Sequence, residues 1–213
     1  LKKCHNESYE LVRGRDLCYD RLNTALTYSL WYHPRRINTF LSFFIDKLTE
    51  LSGQKIELFD LGAGTGYFSF RLMRKAKHVI AIDIDPIMLE LINALKSSLD
   101  PEVGNKIETR LARENDPNLK PNEVDQILCV NTAAYLPNRI EYFKNLKQYI
   151  KPGGRLVILD FKMKRMDIEV PPFENRVLLH TLEEELYEAG YENIRTDDTS
   201  LEYQYFIFAD IAK

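Results

Sequence analysis

Three glycines at alternate positions, Gly62, Gly64 and Gly66, follow an acid, Asp60, at the end of an apolar run. That spacing predicts a strand, a tight loop and the first turn of a helix. Glycine lets a ligand approach the backbone where a side chain would block it. The free N–H groups of a new helix suit a negatively charged ligand group. A second acid, Asp83, ends the next apolar run, about twenty residues past the first glycine. At that offset an acid can accept both hydroxyls of a ribose. Asp85 has a plainer role as a helix cap, with Pro86 at the first helical position.

The elements that must position these residues follow from periodicity. Residues 1–52 read as helical, and Ile37, Phe40, Leu41, Phe44, Ile45, Leu48 and Leu51 make one apolar helix face. From residue 53 onward strands and helices alternate. Strands are predicted at Ile56–Leu61, His78–Asp83, Lys106–Ala112, Asp125–Asn131 and Arg155–Phe161. Helices are predicted at Tyr67–Ala76, Pro86–Ser98, Arg139–Ile150 and Thr181–Ala189. The strands are nearly continuous apolar runs, as strands buried on both faces should be. The alternation predicts a doubly wound, mostly parallel α/β sheet. Asn193–Thr199 and Tyr203–Ala209 are too close in sequence for a crossover helix, so they are expected to pair antiparallel. Lys151-Pro152-Gly153-Gly154 reads as a turn feeding the fifth strand. The whole chain is expected to form one domain, with residues 1–52 as a helical cover and 53–213 as the ligand-binding core.

Bulk properties narrow the function. The 213 residues suffice for one sizeable core, and 45% hydrophobic with 29% charged content is ordinary for a soluble globular protein. A net charge of −3 argues against a nucleic-acid partner, which usually needs a basic face. No apolar run approaches the length of a membrane span. Cys4, Cys18 and Cys129 have no metal-ligand or disulfide spacing. No leader is visible, and a cytoplasmic home is the default expectation. The sequence says nothing of oligomeric state.

Two cofactor layouts compete for the glycine loop. A dinucleotide site wants G-x-G-x-x-G, but Tyr67 occupies the place of its third glycine. The spacing G-x-G-x-G after an acid resembles motif I of the class I S-adenosylmethionine (SAM)-dependent methyltransferases. ELFDLGAGTGYFSFRL, VIAIDIDPIML, VDQILCVNTAAYL and KPGGRLVILDF together resemble that family, and most closely its quinone-biosynthesis and small-molecule group, methyltransferase type 11. The resemblance covers Ile56 to about Lys162 firmly and the remainder loosely. It implies a Rossmann-like seven-stranded sheet whose last strand is antiparallel, in agreement with the expected hairpin. A narrower likeness, carried by Asp160–Lys162, Pro171-Pro172, Arg176 and Tyr203–Phe206, is to a bacterial subgroup of uncertain substrate. That subgroup tends to carry a histidine pair where this chain has Ala134-Tyr135.

The resemblance assigns roles. Asp60, Gly62, Ala63, Gly64 and Gly66 are the expected cofactor contacts of the first loop, with Asp83 and Ile84 at the second strand. An acid beside Asp60's position suits the ammonium and sulfonium charges of SAM. After the third strand an acid near the adenine amino group is expected. Arg113 stands where it should be, and Glu114, Asp116 or the backbone can substitute. Asn131 and Thr132 are expected to contact the cofactor from the fourth-strand loop, with Tyr135 facing the acceptor. Tyr32, Arg176 and Tyr135 are candidates to orient a small-molecule acceptor, and His33 or Tyr135 to act on it. No metal is expected. A nicotinamide-dependent oxidoreductase and a non-catalytic SAM-binding or partner-binding domain are the rival readings.

Overall fold

The computed structural model describes residues 56–167 and 170–212, all within the compact unit Leu41–Lys213. The expected N-terminal helices, with Tyr32 and His33, lie outside the described residues. The first half alternates as expected: β1 (Glu57–Leu61), α1 (Tyr67–Leu72), β2 (His78–Asp83), α2 (Pro86–Ser97), the short α3 (Pro101–Gly104) and β3 (Ile107–Leu111). Then come β4 (Val124–Val130), α4 (Arg139–Leu146), β5 (Ile150–Phe161), α5 (Leu179–Glu188), β6 (Glu192–Asp197) and β7 (Gln204–Asp210). Among the described residues the strands form one seven-stranded sheet in the order β3-β2-β1-β4-β5-β7-β6. The first five pair in parallel, and β7 runs antiparallel to both β5 and β6.

Burial explains the order. The central strands β1, β4 and β5 are apolar, and Phe59, Ile127, Cys129, Leu156 and Ile158 are wholly buried. These residues pack one face of the sheet against Phe143 and Leu146 of α4 and Leu182 and Leu186 of α5. The edges are polar instead. β3 carries Arg110 between Glu108 and Glu123, and β6 exposes most of its side chains. Charged, polar edges discourage pairing with another chain.

Three of the differences from the expected boundaries have a visible cause. α1 stops at Leu72 rather than Ala76, because the chain turns there to bring the Lys77 N–H onto the Ile56 carbonyl at 2.9 Å and enter β2. The expected Arg139–Ile150 helix ends at Leu146 and tightens into a 3₁₀ turn, Lys147–Tyr149. Lys151–Gly154 is not a free turn but a bulge within β5. Val124 pairs with Ile150 while Gln126 pairs with Arg155, so β5 carries the extra residues. Gly154 sits where an added Cβ would lie 2.4 Å from the Asp125 carbonyl oxygen. Among the described residues no helix is long and apolar enough to cross a membrane.

Candidate active site

In an open α/β sheet, ligands bind beyond the carboxyl ends of the strands. Here β1, β2, β3, β4 and β5 deliver their C-terminal loops to that edge. The glycine loop is fastened to β2: the N–H groups of Gly62 and Ala63 both donate to the Ile82 carbonyl, at 2.9 and 2.8 Å. All three glycines have left-handed φ, at 73°, 52° and 77°, which L side chains rarely adopt. Their surroundings separate their roles. A Cβ on Gly62 would lie 2.4 Å from Thr132 Oγ1, and one on Gly66 would lie 2.9 Å from Ile92. A Cβ on Gly64 would meet nothing within 4 Å. Gly62 and Gly66 therefore serve packing, and Gly64 faces open space.

Two acids flank that space. The Asp83 carboxylate accepts from the Gly64 N–H at 2.8 Å and from the Asp85 N–H at 2.9 Å, one on each oxygen. Each oxygen keeps a further lone pair. Burial pushes the Asp83 carboxyl above its ordinary range, against the pull of those two N–H groups. Asp60 lies deeper, 2% exposed, and accepts from Ser69 Oγ of α1 at 2.5 Å. Burial pushes its carboxyl up to about 6, opposed by the Ser69 hydroxyl and assisted by the Asp83 charge. A cationic ligand would relieve both acids. Ile84 and Leu111, at the ends of β2 and β3, are more than half exposed at the same edge. They offer an apolar surface suited to a planar base.

The other expected contacts are placed less simply. Glu114 is exposed within a tight turn closed by paired Arg113 and Asp116 backbone bonds. Thr132 touches Gly62 and donates its hydroxyl to the Val130 carbonyl at 2.9 Å. Asn131 has φ 51°, and its Oδ1 accepts from Gln204 Nε2 at 2.8 Å. Tyr135 is 45% exposed in the 3₁₀ turn Ala133–Tyr135. Arg176 is buried, with its guanidinium committed to the carbonyls of Pro171 at 2.5 Å and Lys164 at 2.8 Å and its plane over Phe173. These bonds brace the segment after β5.

Ser69 and Gln204 were missed in the sequence. The first lies at helical spacing inside α1, where a serine carries no signal. The second lies 73 positions from its partner. Among the described residues no group of three or more His, Cys, Asp or Glu side chains is placed to hold a metal.

A doubly wound sheet closed by an antiparallel pair, with an acid, a glycine loop and a second acid at its carboxyl edge, defines the SAM-dependent methyltransferase class. Residues 59–158 match the family described as Methyltransferase domain. A ubiquinone biosynthesis O-methyltransferase from Xylella fastidiosa is 30% identical over 118 residues, covering 54% of this chain and 45% of that protein. A tRNA U34 carboxymethyltransferase from Hydrogenovibrio crunogenus is 30% identical over 115 residues, covering 52% of this chain and 33% of that protein. The chain thus spans less than half the length of either relative. The crystal structure of a SAM-dependent methyltransferase from Aquifex aeolicus superposes with a TM-score of 0.64 at 25% identity, covering 78% of this chain and 88% of that one. The described region thus has the fold and the glycine loop of the class I SAM-dependent methyltransferases, and this likeness implies S-adenosylmethionine as the cofactor. The residues present fit that cofactor: open space over Gly64, two acids for its positive groups and hydroxyls, and exposed apolar side chains beside them.

Proposed function

We propose that this chain transfers a methyl group from SAM to a small-molecule acceptor. The observation that carries the reading is the open, left-handed Gly64 held on the Asp83 carboxylate at 2.8 Å. In this reading Asp83 holds the ribose hydroxyls and Asp60 balances positive charge from below the loop. Ile84 and the turn at Glu114 flank the base, and Asn131 and Thr132 form the wall at the transfer edge. Bound SAM supplies a methyl group activated by its sulfonium, so the protein's task is alignment rather than activation. Tyr135, exposed beside that wall, is the described side chain best placed to meet an acceptor. A small acceptor rather than a nucleic acid is supported by the net charge of −3. The named role of the Xylella relative points the same way, while the tRNA-directed relative shows that likeness alone does not decide it.

Calorimetric titration with SAM and with NAD, followed by transfer of labelled methyl across phenols, amines, thiols and tRNA, tests the proposal. Binding of SAM and not NAD, with label on a small acceptor, is expected. Asp83→Ala is expected to weaken SAM by roughly ten- to several hundred-fold with the fold retained, because charged hydrogen bonds to the ribose are lost. Unchanged affinity in that variant sinks the ribose assignment. SAM binding without turnover on any acceptor would favour a non-catalytic domain.

A further inference from the structure

The motif Asp160-Phe161-Lys162 and the run Tyr203–Phe206 have no part in holding the cofactor as described above. The sheet brings them together. In the antiparallel pairing of β5 with β7, Asp160 stands opposite Tyr205 and Phe161 opposite Gln204. Neighbouring residues of a strand point to opposite faces. Asp160 therefore lies on one face of the sheet and Gln204 on the other. Both reach the loop that follows β4.

Gln204 Nε2 donates to Asn131 Oδ1 at 2.8 Å, while the Asn131 N–H donates to the Leu159 carbonyl at 2.8 Å. Asn131 has φ 51°, in the left-handed region that asparagine adopts more readily than other residues with side chains. On the opposite face the Asp160 carboxylate accepts the Phe161 N–H at 2.8 Å, and the nearby Ala133 backbone favours its charged form without a hydrogen bond between them. Asp160 is 2% exposed, and its Oδ2 has no hydrogen-bond partner among the described residues. Burying such an oxygen without a hydrogen bond is costly, so its retention calls for an explanation. Between the two held positions sits Thr132, whose side chain fills the space that a Cβ on Gly62 would occupy.

We infer that Gln204 and Asp160 are positioning residues, which clamp the post-β4 loop from the two faces of the sheet and so set its distance from the glycine loop. The inference rests on the proposed function for its consequence, since that loop is the wall of the transfer edge. Neither residue touches the cofactor in this account. Each acts through Asn131 or Ala133.

Three variants test the clamp. Gln204→Met keeps length but removes the donor. Asp160→Leu keeps volume but removes the acceptor, and Asp160→Asn keeps an acceptor oxygen. Two quantities are measured: amide hydrogen exchange of residues 131–136 without ligand, and SAM affinity by calorimetry. Gln204→Met and Asp160→Leu are expected to speed loop exchange and weaken SAM by about tenfold each. Asp160→Asn is expected to stay within about twofold of wild type, a rescue that a space-filling role would give equally to leucine. Unchanged loop exchange in Gln204→Met overturns the clamp, and so does a loosened loop with SAM affinity intact. If Asp160→Leu does not fold, Gln204→Met and Asp160→Asn still decide. A wild-type chain that takes up no SAM would instead overturn the proposed function, and loop exchange alone would then decide the clamp.

Discussion

Asp60 and Asp83 are the residues on which charge and ligand meet. Both have carboxyls raised by burial, and the Asp83 charge adds to the rise at Asp60. SAM carries a sulfonium that its demethylated product lacks. A cation bound beside these acids lowers their proton affinity, so SAM binding should release protons near pH 6 and strengthen as pH rises through that value. Affinity about fivefold weaker at pH 5.5 than at pH 7.5 is the expected size for one such group. Titrations in buffers of different ionisation enthalpy count the protons. S-adenosylhomocysteine should show a smaller dependence. A flat profile for SAM would remove Asp60 from its charge-balancing role.

At the scale of elements, the glycine loop makes two separable predictions. Gly64→Ala adds a methyl to open space at an unfavourable φ, so its cost to stability is about 1 kcal/mol. SAM affinity should nevertheless collapse, because in the proposed function that space holds the cofactor. Gly62→Ala drives a Cβ against Thr132 as well as straining the backbone, so it should lose roughly 2–4 kcal/mol of stability. Thermal or urea unfolding of the two variants beside SAM titration checks the contrast. Equal losses of stability would mean that the two glycines do the same work.

The strand–helix order, the carboxyl-edge acids and the terminal hairpin were legible in the sequence, because each is written in local periodicity or in spacing within one loop. Other features were not. Asn193–Thr199 read as strand to its last residue, yet β6 ends at Asp197. The Asp197 carboxylate caps the turn by accepting from the N–H groups of Thr199 and Ser200. The Lys151–Gly154 stretch looks like a turn by composition, and only its pairing with β4 makes it a bulge. The bond of Gln204 to Asn131 depends on strand register, which no single segment encodes. The carbonyl partners of Arg176, on Pro171 and Lys164, likewise depend on how the loop folds back and carry no signal in the sequence.

For the molecule as a whole, buried acids make stability depend on pH. Burial pushes Asp160 up to about 7 and Asp60 up to about 6, against an ordinary value of 3.8. A carboxyl that holds its proton more tightly when folded loses stability for the protein as pH rises from the unfolded to the folded value. Wild type should therefore weaken between about pH 4 and pH 7, and level off above. Asp160→Asn removes one titration, so its stability relative to wild type should improve between pH 5 and pH 8 by on the order of 2 kcal/mol. Urea midpoints across that range measure it, and parallel curves for the two proteins would contradict it. Tyr32 and His33, expected from the sequence to act on or orient an acceptor, are tested at this scale too. Tyr32→Ala with His33→Ala should keep SAM affinity while turnover falls at least about tenfold. Normal turnover would leave acceptor recognition to Tyr135 and its loop.

The position of β7 has a consequence for how the protein is made. Gln204–Asp210 is inserted between β5 and β6, so a segment near residue 210 forms an interior rung of the sheet. A ribosome delivers β1, β4 and β5 long before it. Until that segment emerges, β5 waits with one side of its backbone unpaired, and β6 has no sheet to join. An unpaired apolar strand recruits other chains. The sheet can therefore close only after Gln204–Asp210 has been made. Between the making of β5 and the making of β7, the backbone on one side of β5 stays open to pairing with other chains.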